Sequence, residues 1–201
     1  MSIRQITIIG TGLIGGSVGL ALKQFGFTGR ITGCDRAPVL EQAQKLGIID
    51  AAQSDPIEAM HGSQIVLLAT PVGAIIELIG RLGPLLSADA LLTDIGGTKA
   101  EIMAQAARVF GSSASQRFLG GHPMAGKEYS NVGMADADLF QGAKWFVTPS
   151  PGQTFDQGLI GEFLDWIAKI GADIESIDAA QHDRLCGWIS HLPQMISTGL
   201  A

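Results

Sequence analysis

Cysteine, tyrosine and charge are scarce in this chain. Among 201 residues there are 2 Cys, 1 Tyr and 3 Trp, and charged side chains make up only 16%. Two thiols, Cys34 and Cys186, cannot form a disulfide framework, and no Cys/His cluster in the sequence has zinc-finger spacing. No metal site is therefore expected, and both cysteines are read as structural thiols of a reducing compartment. No run of Lys or Arg occurs, and the formal net charge is −6. Nucleic acid and anionic membrane both demand a basic face, so neither is an expected partner. A long uninterrupted apolar run is missing too. The N-terminal stretch 6–22 is broken by glycines at 10, 12, 15, 16 and 19. It is neither a signal peptide nor a membrane span, and a cytoplasmic protein is expected.

Glycine, by contrast, is abundant: 27 of 201 residues, close to twice the usual ~7%. Short apolar runs alternate with stretches of helical spacing. Strands are predicted at 6–9, 30–34, 64–69, 90–93, 116–119, 143–147 and 172–177. Helices are predicted at 12–25, 37–46, 74–82, 99–109, 154–170 and 179–192, the last one broken or kinked by Pro193. That rhythm is α/β: a Rossmann-type, doubly wound, mostly parallel sheet covered on both faces. The dinucleotide-binding domain is placed at 1–172. Residues 173–201 read as the start of a helical substrate and dimerisation domain, in a chain that looks truncated because it stops inside a helical stretch.

Gly10-Thr11-Gly12-Leu13-Ile14-Gly15 has GxGxxG spacing between a strand and a helix. The first glycine permits the turn, the second a close approach of pyrophosphate, and the third tight helix–strand packing. The helix N-terminus then offers unpaired N–H groups to phosphate. Asp35, twenty residues after Gly15, stands where a carboxylate accepts from the ribose hydroxyls of NAD and repels the 2′-phosphate of NADP. Arg36 beside it is expected to stack on adenine. NAD is the expected cofactor, with NADP second. Two further strand ends face the same crevice. Ala69-Thr70-Pro71 either touches the cofactor or starts a helix at Pro71. In Asp94-Ile95-Gly96-Gly97-Thr98-Lys99, Gly97 permits close approach, and Thr98 either supplies a hydroxyl or caps the next helix.

His122 lies in Gly120-Gly121-His122-Pro123-Met124-Ala125-Gly126-Lys127-Glu128, after an apolar strand. Such a position belongs to the sheet's carboxyl edge, and imidazole is the side chain suited to proton transfer near neutrality. His61 reads as a solvated residue at a helix end. His182 and His191 are nine residues apart, about half a turn around a helix, and His191 shares a face with Arg184 and Trp188.

Together with Ser190-His191-Leu192-Pro193, these motifs resemble the prephenate/arogenate dehydrogenase family of tyrosine biosynthesis, over essentially the whole chain. The resemblance implies NAD(P)-dependent oxidative decarboxylation of prephenate or arogenate, in a protein that is a homodimer when full length. It implies that His122 takes the ring hydroxyl's proton, and that His191, Glu128 and Ser130 line the substrate pocket, with Glu128 helping to gate it. The family carries Ser where this chain has Gly97, so Thr98 is the candidate replacement. The family's Arg for the substrate carboxylate has no counterpart in Arg184. The competing readings are a β-hydroxyacid dehydrogenase or imine reductase working through Lys99 or Lys127, and a non-catalytic dinucleotide-binding fragment.

Overall fold

The computed structural model of the chain describes residues 3–128 and 131–191. Its elements are β1 (Gln5–Ile9), α1 (Leu13–Gln24), β2 (Arg30–Cys34), α2 (Ala37–Lys45), β3 (Ala51–Gln53), α3 (Pro56–Met60), β4 (Ile65–Leu68), α4 (Val72–Leu82), β5 (Leu91–Asp94), α5 (Ala100–Phe110), α6 (Ala114–Arg117), β6 (Phe118–Pro123), β7 (Lys144–Thr148), α7 (Gly158–Lys169), β8 (Asp173–Ser176) and α8 (Ala179–Cys186). The eight strands form a sheet in the order β3-β2-β1-β4-β5-β6-β7-β8. All pairings are parallel except β6 with β7.

Continuous apolar runs explain the central strands. Along β4, Ile65 and Leu67 belong to one core, whereas Val66 and Leu68 belong to the other. A strand that buries both faces needs apolar residues at every position rather than at alternate ones. The first core packs the sheet against α1, α2 and α7, and includes Val18, Leu22, Leu40, Phe163 and Ile167. The second packs it against α3, α4 and α5, through Met60, Ile75, Ile79, Ile102 and Phe110. No described helix is long and apolar enough to cross a membrane.

The fold departs from the sequence reading in five places. β3 is only three residues long and lies on the sheet's edge, too short to show a period. The helix predicted from 154 starts at Gly158, whose φ is +63°. β6 runs on through His122 and Pro123, beyond the strand end predicted at 119, because β7 returns antiparallel and pairs Gly121 with Val147 and His122 with Phe146. β8 pairs with β7, so the sheet extends past the boundary drawn at 172. Finally, α8 ends at Cys186 and continues as a π-helical turn, Gly187–His191, in place of a regular helix to 192. Pro193 and the remaining residues lie outside the described part.

α1 sits directly on β1. A Cβ added at Gly15 would lie 2.0 Å from the Gly10 carbonyl oxygen and 2.9 Å from the Ala69 Cβ. Backbone cannot yield there, so Gly15→Ala is expected to destabilise the fold by ~1–3 kcal/mol or more. A urea-unfolding midpoint equal to that of the parent would contradict this packing.

Candidate active site

Two sites of interest meet at the carboxyl edge of the sheet, where the strand order reverses between β1 and β4. The first is a cavity of about 740 Å³. Gly10, at φ +97°, turns the chain out of β1, and a Cβ there would sit 2.4 Å from the Ala69 carbonyl oxygen. No side chain caps the N-terminus of α1, so its first N–H groups remain available to an anion. The Asp35 carboxylate stands at the end of β2. It accepts from the Thr11 N–H (2.9 Å) and the Arg36 N–H (2.7 Å), which fixes its direction. Thr70 Oγ1 is buried with no hydrogen-bond partner among the described residues, in a side chain that lines the cavity. An uncapped helix end, an anchored carboxylate one strand away and an orphaned hydroxyl fit the phosphates and ribose of a dinucleotide.

Of the residues predicted for the cofactor, Gly10, Gly12, Leu13, Ile14, Asp35, Arg36, Ala69, Thr70 and Pro71 all line this cavity. Thr11, Gly15 and Gly97 do not. Thr11 is fully buried behind the wall and orients Asp35; Gly15 is the packing contact of α1. Pro71 lines the cavity and is also the residue that opens α4. Cys34 is buried, and burial reinforced by Asp35 and Asp55 pushes its thiol up to about 11, so it stays protonated.

The second site is organised by Asp94 at the end of β5. Asp94 is fully buried. Its Oδ2 accepts from the Gly96 N–H (2.7 Å) and is ion-paired to the Lys99 ammonium, and its Oδ1 accepts from the Gly121 N–H (3.2 Å) on β6. Burial raises the Asp94 pKa, while Lys99 and the two N–H groups oppose that rise. Gly121 has no room for a side chain, because a Cβ would lie 2.6 Å from the Asp94 carbonyl oxygen. The glycine pair before His122 therefore serves the closure of β6 on β5. Lys99 is buried at 0% exposure. Lys127 is tied to Asp136 (2.8 Å) and the Met134 carbonyl (3.2 Å). Neither lysine is placed as the expected dehydrogenase base.

His122 is half-buried at the end of β6, and its Nδ1 lies 2.9 Å from His182 Nε2 on α8. His182 Nδ1 in turn lies 2.8 Å from Asp183 Oδ1. Phe146 on β7 packs edge-on against the His182 ring at 5.7 Å. Asp183 also accepts from the N–H groups of Lys99 (2.6 Å) and Ala100 (2.9 Å), capping α5 from another helix. This corrects the capping alternative for Thr98: α5 begins at Ala100, Lys99 is the residue at its start, and no side chain of that turn caps it. Thr98 is half-buried and makes no hydrogen bond among the described residues.

Burial raises Asp183, but the Ala100 N–H, His182 and the Lys99 N–H more than offset it, so Asp183 is held below its ordinary value. Burial lowers the His182 pKa despite Asp183, with Lys99 adding in the same direction. With His182 neutral and Asp183 ionised, His182 donates from Nδ1 to Asp183, and its Nε2 is the acceptor toward His122 Nδ1.

The sequence reading assigns no role in the site to His182 or Asp183 and takes Cys186 as a structural thiol. His182 was set aside against His191, yet His182 and Cys186 are four apart on α8 and therefore share a face. Cys186 Sγ lies 3.4 Å from His182 Nε2 and 3.9 Å from His122 Nδ1. Glu128 is exposed in the loop that follows β6, and His61 is exposed at the end of α3. Ser130 and the side chain of His191 lie outside the described residues.

A parallel sheet opening at its switch point over an uncapped helix defines the Rossmann class of nucleotide-binding domains. Similarity to known proteins narrows the class. The family model described as the nucleotide-binding domain of prephenate dehydrogenase matches residues 18–176. The prephenate dehydrogenase of Lactococcus lactis is 36% identical over 98% of this chain and 53% of its own length; that of Bacillus subtilis is 33% identical over 97% and 52%. Among solved structures, the prephenate dehydrogenase of Aquifex aeolicus, in complex with hydroxyphenyl propionate and NAD+, superimposes with a TM-score of 0.88 at 30% identity. It is matched over 100% of this chain and 68% of that one. The chain belongs to the prephenate dehydrogenase family, a family of oxidoreductases. It spans about half the length of the curated relatives it matches.

Asp94→Ala strands a buried ammonium and two N–H groups, and is expected to cost ~3–5 kcal/mol. Lys99→Met should cost less, since Asp94 keeps both N–H partners and can take up a proton. Urea midpoints at pH 7 check the order, and a larger loss for Lys99→Met would refute the assigned role of Asp94.

Proposed function

We propose that the protein oxidatively decarboxylates prephenate or arogenate, with NAD bound in the cavity at the β1/β4 switch and His122 as proton acceptor. The observation that carries this reading is the hydrogen-bonded series from Asp183 through His182 to His122 Nδ1, which fixes the imidazole at the sheet's carboxyl edge. The Aquifex aeolicus complex with NAD+ and hydroxyphenyl propionate supports the cofactor and a ring-bearing ligand. A cyclohexadienyl dehydrogenase from Zymomonas mobilis, 28% identical over 96% of this chain, and a Synechocystis arogenate dehydrogenase structure keep both substrates within the proposal.

The residues divide the work. The first turn of α1 receives the pyrophosphate, Asp35 accepts from the adenosine ribose hydroxyls, and Arg36 covers the adenine. NAD supplies the hydride acceptor. His122 takes the proton of the ring hydroxyl as hydride leaves the same carbon. The electron pair released with carbon dioxide then restores the aromatic ring, and the phenolate oxygen recovers its proton from His122. Asp183 and His182 hold the imidazole in the tautomer that can accept. Glu128, Ser130 and His191 complete the substrate side, and Thr98 offers the hydroxyl that the family takes from the position of Gly97. On this reading the apolar strip of Leu185, Trp188 and Ile189, of which Trp188 is 69% exposed, is covered by a helical second domain in a homodimer.

In the intact protein, His122→Ala should lower kcat for NADH formation by about 10²–10⁴-fold while NAD affinity is retained. Unchanged turnover would remove the proposal. Asp35→Ser should shrink the preference for NAD over NADP by at least about tenfold in kcat/KM, because it deletes a repulsion aimed at the 2′-phosphate. An unaltered ratio would place the discrimination elsewhere.

A further inference from the structure

The side chains around His122 also have the character of metal ligands. His122 Nδ1, His182 Nε2 and Cys186 Sγ lie within 4.8 Å of one another, at separations of 2.9, 3.4 and 3.9 Å. Tetrahedral zinc, at ~2.0–2.1 Å from nitrogen and ~2.3 Å from thiolate, spaces N from N by about 3.3 Å and N from S by about 3.6 Å. Shifts of about half an ångström bring all three donors onto one such ion. Two imidazoles and a thiolate are the donor set that borderline-soft cations select. The outer ring nitrogen of His182 is already held by the Asp183 carboxylate at 2.8 Å, the arrangement that orients a ligating imidazole and strengthens its donation. Asp183 is itself anchored by two N–H groups of α5. Two of the three ligands sit on one helix face and the third on a strand end, so neither rigid element alone holds the site.

We propose that His122, His182 and Cys186 form a binding site for a zinc-class divalent cation, and that filling it switches off the proton acceptor. The inhibitory part rests on the function proposed above; the site itself does not. On binding, the Cys186 thiol loses its proton to solvent and its sulfur forms a bond to the cation. His182 Nε2 gives its lone pair to the same ion. The proton on His122 moves from Nδ1 to Nε2, freeing the Nδ1 lone pair for the third bond. Nε2 then carries hydrogen and no longer accepts the substrate's proton. One fold thus offers two exclusive states of His122: a base held by a hydrogen bond, or a ligand held by a metal.

The test titrates Co²⁺ into intact, reduced, metal-free protein. The expected result is one equivalent bound with tetrahedral visible bands and a sulfur-to-cobalt charge-transfer band, all displaced by Zn²⁺. Cys186→Ala should abolish the charge-transfer band and weaken zinc by more than the 10–100-fold that loss of an outer-shell partner costs. Asp183→Asn should weaken it within that range, and Cys34→Ala should leave it unchanged. In the NADH-forming assay, zinc should inhibit the parent at concentrations that leave Cys186→Ala at its own metal-free rate. Cobalt binding without a sulfur band, or equal zinc affinity in Cys186→Ala, overturns the site. Binding as expected with no effect on turnover overturns the switch and leaves the site. A metal-free protein that makes no NADH from either substrate fails the proposed function instead, and the cobalt spectrum still decides the site.

Discussion

The carboxylate of Asp94 is the constraint on which the candidate active site depends. It ties the turn after β5 and the Lys99 side chain at the start of α5 to the glycine pair of β6, 27 residues on. A charge with no access to solvent is tolerable only when paired and saturated with donors, and Asp94 has the Lys99 ammonium and two N–H groups. That need for saturation brings β6 close to β5 and leaves no space for a side chain at Gly121. The position of His122, one residue on, follows from it. A mobile surface loop carrying the same imidazole would lack this precision.

A second carboxylate repeats the logic one layer out. Asp183 satisfies the first N–H groups of α5 and, with the same group, orders the His182 ring. Helix capping and imidazole orientation are thus one interaction. Three successive hydrogen bonds thus connect the α5 terminus to His122: N–H to Asp183, Asp183 to His182 and His182 to His122. The absence of a side-chain cap on α1 is the complementary choice: that helix keeps its N–H groups open where an anion is to be received, whereas α5 has its own taken up by protein. One of the two helices therefore keeps an open N-terminus, and the other has its N-terminus closed by a carboxylate.

Much of this was legible in the linear chain. The uninterrupted apolar run through Leu67 and Leu68 marks a strand covered on both sides, and the spacing of Gly10, Gly12 and Gly15 with Asp35 beyond it marks the nucleotide crevice; both are local patterns tied to one βαβ unit. His122 stood out because glycines and a proline surround it. What escaped was whatever depends on contacts between distant segments. Gly120 and Gly121 fall past the predicted end of their strand, but pairing with β7 makes them part of it. Thr98 read as a possible cap, but a carboxylate from position 183 takes that role. His182 is given no role by the sequence, since nothing adjacent to it announces a partner 60 residues upstream.

Residue order alone determined the α/β class, the nucleotide fingerprint and the one imidazole at the sheet's edge, because periodicity, turn chemistry and motif spacing act within a few residues of themselves. Only the folded chain decided which groups hold that imidazole in place and that a thiol stands beside it. Those depend on side chains from β5, β6 and α8 sharing one buried volume, and a desolvated hydrogen bond has no counterpart in sequence distance.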